Sequence, residues 1–168
     1  MMQDPGSDRT ARDAAVGCLP VGGGLKEAVV LVVEDDETVG ELIAASLGPE
    51  VFAVQIASSL AQARRMLDCS YPDVIILDRR LPDGDGADLC ADLKRRMLTK
   101  AIPVLFLSAH MGIEDRFDYL KSGADDCMSK PFEPRELRMR LNALWRRAGR
   151  RGPATPFRRG SSLSSRRR

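Results

Sequence analysis

Hydrophobic residues along this chain follow two alternating patterns. Continuous aliphatic and β-branched runs occupy residues 29–33, 51–56, 74–77 and 104–107, with a weaker run at 127–129. Unbroken runs of this length mark strands buried on both faces, as in a parallel sheet. Between them, apolar residues are spaced to line one side of a helix. Val39, Leu42, Ile43, Ser46 and Leu47 make the first such stripe. Leu60, Ala63 and Leu67 make the second, opened by the capping box Ser59-x-x-Gln62. Leu89, Cys90, Leu93 and Met97 make the third; Ile113, Phe117 and Leu120 make the fourth, which Gly123 stops. Leu137, Leu141, Leu144 and Trp145 make the fifth, started by Pro134. Five strands alternating with five helices predict an α/β fold with right-handed crossovers.

The periodic region runs from 28 to 148. Residues 1–27 carry Pro5, Gly17, Pro20 and the run Gly22-Gly23-Gly24 without periodicity, and read as a flexible N-terminal segment. The glycines precede Lys26 but do not form G-x-x-x-x-G-K-[ST], so a linker is the better reading than a phosphate loop. Residues 149–168 hold two prolines and few apolar side chains, and read as a disordered Arg-rich tail.

Composition narrows the class. A chain of 168 residues has room for one ordinary domain. Hydrophobic residues are 43% but aromatics only 5%, so the core must be aliphatic. No apolar run approaches the ~20 residues of a membrane span, and the polar start MMQDPGSDRTARD has no signal-peptide character. Cys18, Cys69, Cys90 and Cys127 lie far apart, and His110 is the single histidine. A zinc site or disulfide framework is therefore not expected, and a cytoplasmic setting is. The formal charge of +2 hides an asymmetry. Nine arginines and no acid follow from Arg146 onward, leaving 17 basic against 24 acidic residues before it.

In a parallel sheet, ligands bind where strands end. Here the first strand ends in Glu34-Asp35-Asp36, the third in Asp78, the fourth in Ser108 and the fifth in Lys130. Each alone has a structural explanation; for Asp36, capping of the following helix is the better one. Together they bring carboxylates, a hydroxyl and an amine to one edge. Crowded carboxylates suit Mg²⁺. A carboxylate beside Mg²⁺ can attack a phosphoryl group, while an ammonium neutralises the phosphoryl oxygens. The set has the chemistry of a phospho-aspartate site.

These residues also carry a family resemblance. Val32-Val33-Glu34-Asp35-Asp36, Ile75-Ile76-Leu77-Asp78-x-x-Leu81-Pro82-Asp83-Gly84-x-Gly86, Leu107-Ser108-Ala109, Gly123-Ala124-Asp125-Asp126 and Lys130-Pro131-Phe132 resemble the receiver domain of bacterial two-component response regulators. The resemblance covers 28–148. It implies a flavodoxin-like, doubly wound sheet of five parallel strands in the order 2-1-3-4-5 with five helices. It implies that Asp78 is the phosphoacceptor, served by a sensor histidine kinase. Glu34 and Asp35 would organise Mg²⁺, with Asp35, Asp78 and the Arg80 backbone carbonyl as direct ligands. Ser108 would be the switch hydroxyl, with Ala109 leaving room beside it. Lys130 would pair with the phosphoryl group, and the Lys130–Pro131 peptide would be cis.

Two departures stand out. The family usually has Tyr or Phe three residues before the lysine, and here that residue is Cys127. The nearest resemblance is to the subfamily whose receiver precedes a winged-helix DNA-binding domain, yet only twenty residues follow Ala148. A single-domain or shortened regulator is expected, with transcription regulation as its output only if such a domain belongs to it. The subfamily also implies a homodimer on phosphorylation, through Asp125, Asp126, Glu136, Arg140 and Arg147.

Other functions fit less well. Phosphatases with an aspartyl nucleophile resemble D-x-D, but the second position after Asp78 is Arg80. Self-dephosphorylation is the only turnover expected, so the chain is not read as an enzyme. A flavin module would need a polar phosphate loop where Glu34-Asp35-Asp36 stands. Non-specific nucleic-acid binding through the basic tail is a further alternative, weighted below a solvated linker.

Overall fold

A computed structural model describes residues 28–49, 51–109 and 112–150. The expected N-terminal segment 1–27, His110 and the tail beyond 150 lie outside the described residues. In chain order the elements are β1 (Ala28–Val33), α1 (Glu37–Leu47), β2 (Phe52–Ala57), α2 (Leu60–Cys69), β3 (Val74–Asp78), β4 (Arg80–Leu81), β5 (Gly84–Asp85), α3 (Gly86–Arg95), β6 (Val104–Ser108), α4 (Ile113–Lys121), β7 (Asp126–Ser129) and α5 (Pro134–Arg150). Helix α5 therefore carries Gly149 and Arg150, two residues past 148.

The main sheet is wholly parallel in the order β2-β1-β3-β6-β7. Strands β4 and β5 are a separate two-residue hairpin; without them the order is the expected 2-1-3-4-5. The pleat sends alternate residues to opposite faces. Leu31, Val33, Ile75, Leu77, Val104 and Phe106 pack with Leu60, Ala63 and Leu67 of α2 and Leu89, Cys90 and Leu93 of α3. Val30, Val32, Val74, Ile76, Leu105 and Leu107 pack on the other face with Ile43 and Leu47 of α1 and Leu137, Leu141 and Leu144 of α5. Two apolar layers explain why the strands read as continuous runs. The edge strand β2 is less covered: among the described residues no strand pairs with its outer side, and Ile56, which runs beside Gly40 of α1, is left partly in solvent.

Several helix positions differ from the periodic reading. Leu42 is half exposed, and Met97 lies beyond the end of α3 in solvent. In α4, Phe117 and Leu120 are 59% and 68% exposed, whereas Tyr119 is 1% exposed. Phe117 and Leu120 of the stripe chosen from spacing face outward, and among the described side chains of α4 the inward one is Tyr119, stacked on Phe106 with ring centroids 4.7 Å apart. The helix ends as expected at Gly123, whose φ of 86° is left-handed.

At α2, Ser59 caps Gln62 N–H, but Gln62 reaches back to the Ser58 amide rather than to Ser59. A longer-range cap completes that terminus. The two oxygens of Asp83, in the β4–β5 turn, accept from the Leu60 and Ala61 amides at 2.9 and 2.8 Å. These donors hold the Asp83 carboxyl below its ordinary 3.8. A carboxylate with a depressed folded pKa stabilises above the unfolded value and loses that contribution as pH falls through the folded one. Asp83→Ala is therefore expected to lower the urea midpoint at pH 7. The gap from wild type should be constant down to about pH 4 and then close. A gap that widens on acidification would refute the cap.

Candidate functional site

The carboxyl ends of β1, β3, β6 and β7 carry the site. Glu34 follows β1 directly; its amide continues the ladder to the Ala57 carbonyl at 2.9 Å, which fixes its side chain inside the edge at 3% exposure. Asp35 comes next and is exposed. Asp36 caps α1 by accepting from the Thr38 and Val39 amides, the structural role expected of it. Asp78 closes β3, partly buried, opposite Leu107 in the register with β6. Ser108 ends β6, buried, and its carbonyl accepts from the Lys130 amide at 2.8 Å. The Lys130–Pro131 peptide is cis, as expected.

Lys130 ties the set together. Its Nζ lies 2.5 Å from Glu34 Oε2 and 2.6 Å from Asp78 Oδ2. The other Asp78 oxygen, Oδ1, accepts from the Arg80 amide at 3.2 Å. Burial raises the Glu34 carboxyl above its ordinary value, with the Asp78 charge adding to the rise and the Lys130 ammonium opposing it. Burial alone would lower Lys130, but its bonds to Asp78 and Glu34 outweigh that and raise it. Lys130 thus stays charged. One ammonium faces three carboxylates, since oxygens of Glu34, Asp35 and Asp78 lie within 4.8 Å of one another. Among the described residues Asp35 has no ion pair of its own. An oxygen-only cluster with excess negative charge and one exposed member fits a hard divalent cation that keeps several waters.

The structure therefore gathers Glu34, Asp35, Asp78, Ser108 and Lys130 at one edge. The amide of Arg80 joins them, while its side chain is exposed. A cleft between α2 and α3, lined by Arg64, Tyr71, Met97 and Leu98, lies away from this edge and holds none of these residues. Asp125 is exposed and paired within the chain. Its carboxylate is tied to Lys94 Nζ at 2.6 Å and to the Val104 amide at 2.9 Å, a link between α3 and β6. Asp126, Arg140 and Glu136 do form a connected group, with Arg140 reaching Asp126 at 3.0 Å and Glu136 at 2.8 Å.

Two residues beside Asp78 carry no role in the sequence reading. Gly86 starts α3 under the Asp78 carbonyl: a Cβ there would stand 2.2 Å from that oxygen. Its place in the Asp83-Gly84-x-Gly86 motif was visible, but the close approach was not. Arg79 points away from the site toward α4, and only its adjacency to Asp78 was legible.

Residues 30–142 match the response regulator receiver domain family. Over 118 residues the chain is 40% identical to the phosphate regulon transcriptional regulatory protein PhoB of Escherichia coli, covering 70% of this chain and 52% of that protein. The chain thus spans about half the length of the curated relatives it matches. Among solved structures, the BeF3-activated N-terminal receiver domain of Klebsiella pneumoniae RstA is similar at 32% identity and a TM-score of 0.64, covering 70% of this chain and 98% of that one. A CheY-like receiver domain protein from Methanospirillum hungatei, at 21% identity and a TM-score of 0.70, covers 76% of this chain and 100% of its own and shares the fold.

Proposed function

The chain belongs to the response regulator receiver domain family, of the OmpR/PhoB type, and on that premise we propose that Asp78 is its phosphoacceptor. The observation that carries the assignment is Lys130, held between Asp78 and Glu34 at the one edge where three carboxylates meet. In this reading an Asp78 oxygen attacks the phosphorus of a phosphohistidine on a sensor kinase. The new O–P bond forms as the P–N bond breaks, and the imidazole leaves with the bonding pair. Lys130, already charged, turns from the carboxylate to the phosphoryl oxygens. Ser108, at the adjacent strand end, donates to one of those oxygens once the group is in place. The Arg80 amide keeps the other carboxylate oxygen oriented.

Glu34, Asp35, Asp78 and the Arg80 carbonyl are the groups that would hold Mg²⁺. When bound, the ion supplies positive charge to the transferring phosphoryl group. Labelling by acetyl phosphate, read as intact mass, tests the assignment. One phosphoryl group should add in Mg²⁺ and none in excess chelator.

Receiver family members act as phosphoacceptors and are not generally enzymes. Hydrolysis of its own phospho-aspartate is the one turnover this reading allows. Among the described residues no helix is long and apolar enough to cross a membrane. A phosphohistidine donor implies a cytoplasmic location. Two domain boundaries accompany the reading: a receiver from 28 to the end of α5, with 1–27 and the Arg-rich tail outside it.

The output surface in this reading is the face of α4, β7 and α5. Phe117, Leu120 and Met139 are exposed there. The Arg140 pairs to Asp126 and Glu136 are partly exposed, so exchanging them for partners across a two-fold axis costs little. Sedimentation should show a monomer that becomes a dimer with beryllofluoride and Mg²⁺, and Leu120→Asp should keep it monomeric. Dimerisation of Leu120→Asp at wild-type concentration would move the interface elsewhere.

A further inference from the structure

Helices α2 and α3 do not close over their full length. Between their C-terminal halves lies a cleft of about 510 Å³, beside the edge where the strands begin. Leu89 and Leu93 form its buried floor, while Tyr71, Met97 and Leu98 stand around it 51%, 74% and 61% exposed. Exposed large apolar side chains gathered round one hollow mark an interaction site. The charged side chains that line it, Arg64 and Arg96 against Asp68 and Asp92, cancel in sign, and Arg64 is paired to Asp92 at 2.9 Å. Such a wall suits an uncharged apolar occupant and offers nothing to a strongly basic one.

We propose that the occupant is this chain's own residues 14–21. The run Ala14-Ala15-Val16-Gly17-Cys18-Leu19-Pro20-Val21 is uncharged and apolar throughout, and no run of that length in 151–168 is free of charge. It leads into the described chain beside the cleft. Val29, the second residue of β1, exchanges two hydrogen bonds with Asp73: its amide donates to Asp73 Oδ2 at 2.8 Å, and its carbonyl accepts from the Asp73 amide at 2.8 Å. Asp73 follows Tyr71 by two residues. The chain from Val21 to Ala28 spans at most about 25 Å when extended. The cleft wall from Tyr71 back to Arg64 is only about 11 Å of helix, so the run reaches it with length to spare. Gly22-Gly23-Gly24 stands where the chain must reverse to lie along α2 and α3 before entering β1.

The arginine-rich tail is wrongly charged for the cleft and also badly placed. It leaves the end of α5, which packs on the opposite face of the sheet from α2 and α3. Tethering through residues 22–27 holds the apolar run at an effective concentration of about a millimolar, so a contact with an untethered Kd of about 0.1 mM is occupied roughly nine-tenths of the time. Docked, the run covers Tyr71, Met97 and Leu98. It does so at the edge away from Asp78, so this contact and the phosphoacceptor chemistry are separable.

Fluorine NMR of the full chain labelled with fluorotyrosine tests this. Tyr71 and Tyr119 are its two tyrosines, and buried Tyr119 reports the fold. Leu19→Asp should shift the Tyr71 line and raise several-fold its broadening by a soluble gadolinium chelate, with the Tyr119 line unmoved. Thr10→Asp, outside the run, should leave both lines as in wild type. A synthetic peptide of residues 13–22, added to Leu19→Asp, should return the Tyr71 line toward its wild-type position, half-way at about 0.1 mM if tethering supplies the rest. Identical Tyr71 lines in wild type and Leu19→Asp overturn the docking, and leave the cleft to a different protein. A wild-type Tyr71 line that moves on dilution also overturns it, and assigns the cleft to a second copy of the chain.

Discussion

Asp78→Asn should abolish phosphorylation by acetyl phosphate and leave the fold intact. The amide is nearly isosteric and still accepts from the Arg80 N–H, but it is no nucleophile and removes one of three clustered negative charges. Lys130→Met tests the other half of the pair. Loss of a single cation facing a transferring oxyanion typically slows such steps by about 10²–10³-fold. Labelling in Lys130→Met should fall by that order, with an unchanged far-ultraviolet spectrum reporting the fold. Intact mass is the right measurement for both. Trp145 packs edge-on against Phe52 at the start of β2, at the opposite end of the sheet, so its fluorescence is poorly placed to sense Asp78. Full-strength labelling of Asp78→Asn would mean that another group accepts the phosphoryl.

Gly86→Ala should be nearly as damaging without touching a reactive atom. The added methyl would meet the Asp78 carbonyl oxygen at 2.2 Å and its carbonyl carbon at 3.2 Å. Both are backbone and cannot rotate away as a side chain would. The same glycine donates its amide to the Arg79 carbonyl at 2.7 Å, so the turn between β3 and α3 is closed from both sides. Either the end of β3 or the start of α3 must shift. Overpacking of this kind costs roughly 1–3 kcal/mol, and displacement of a reacting group by about 1 Å costs on the order of 10²-fold in rate. Gly86→Ala should therefore lower the melting temperature and slow acetyl phosphate labelling about 10²-fold. Gly149→Ala, in helix α5, is the control: nothing lies within 4 Å of its added methyl, so labelling should be unchanged and the melting temperature should not fall, since Ala favours a helix over Gly. Normal labelling in Gly86→Ala would show that the turn relaxes away from Asp78.

Much of this was legible without coordinates. Five continuous apolar runs needed two apolar layers, and two layers with alternating helical stripes allow little other than a doubly wound parallel sheet. Once that sheet is accepted, its strand ends follow from sequence position alone, because a strand places its last residue at the edge whatever packs around it. That is why Glu34, Asp35, Asp78, Ser108 and Lys130 could be grouped before any distance was known. Asp36 was likewise readable as a cap, because capping is a local matter of three or four residues.

The tertiary structure decided what depends on neighbours distant in sequence. The rotational phase of α4 is one case. Residues 113, 117 and 120 form a genuine stripe, yet a nine-residue helix docks by whichever side finds a partner, and Phe106 and Arg79 selected Tyr119. Asp125 stays exposed, but its partners, Lys94 and the Val104 amide, are brought to it only by packing. Asp83 caps a helix that begins 23 residues earlier, and no local pattern announces that. Period and composition are carried by consecutive residues, so the strands, the helices and the chemistry at the strand ends were set by sequence. Helix phase, long-range caps and the approach of Gly86 to Asp78 depend on which surfaces meet. Only the packed chain determines that.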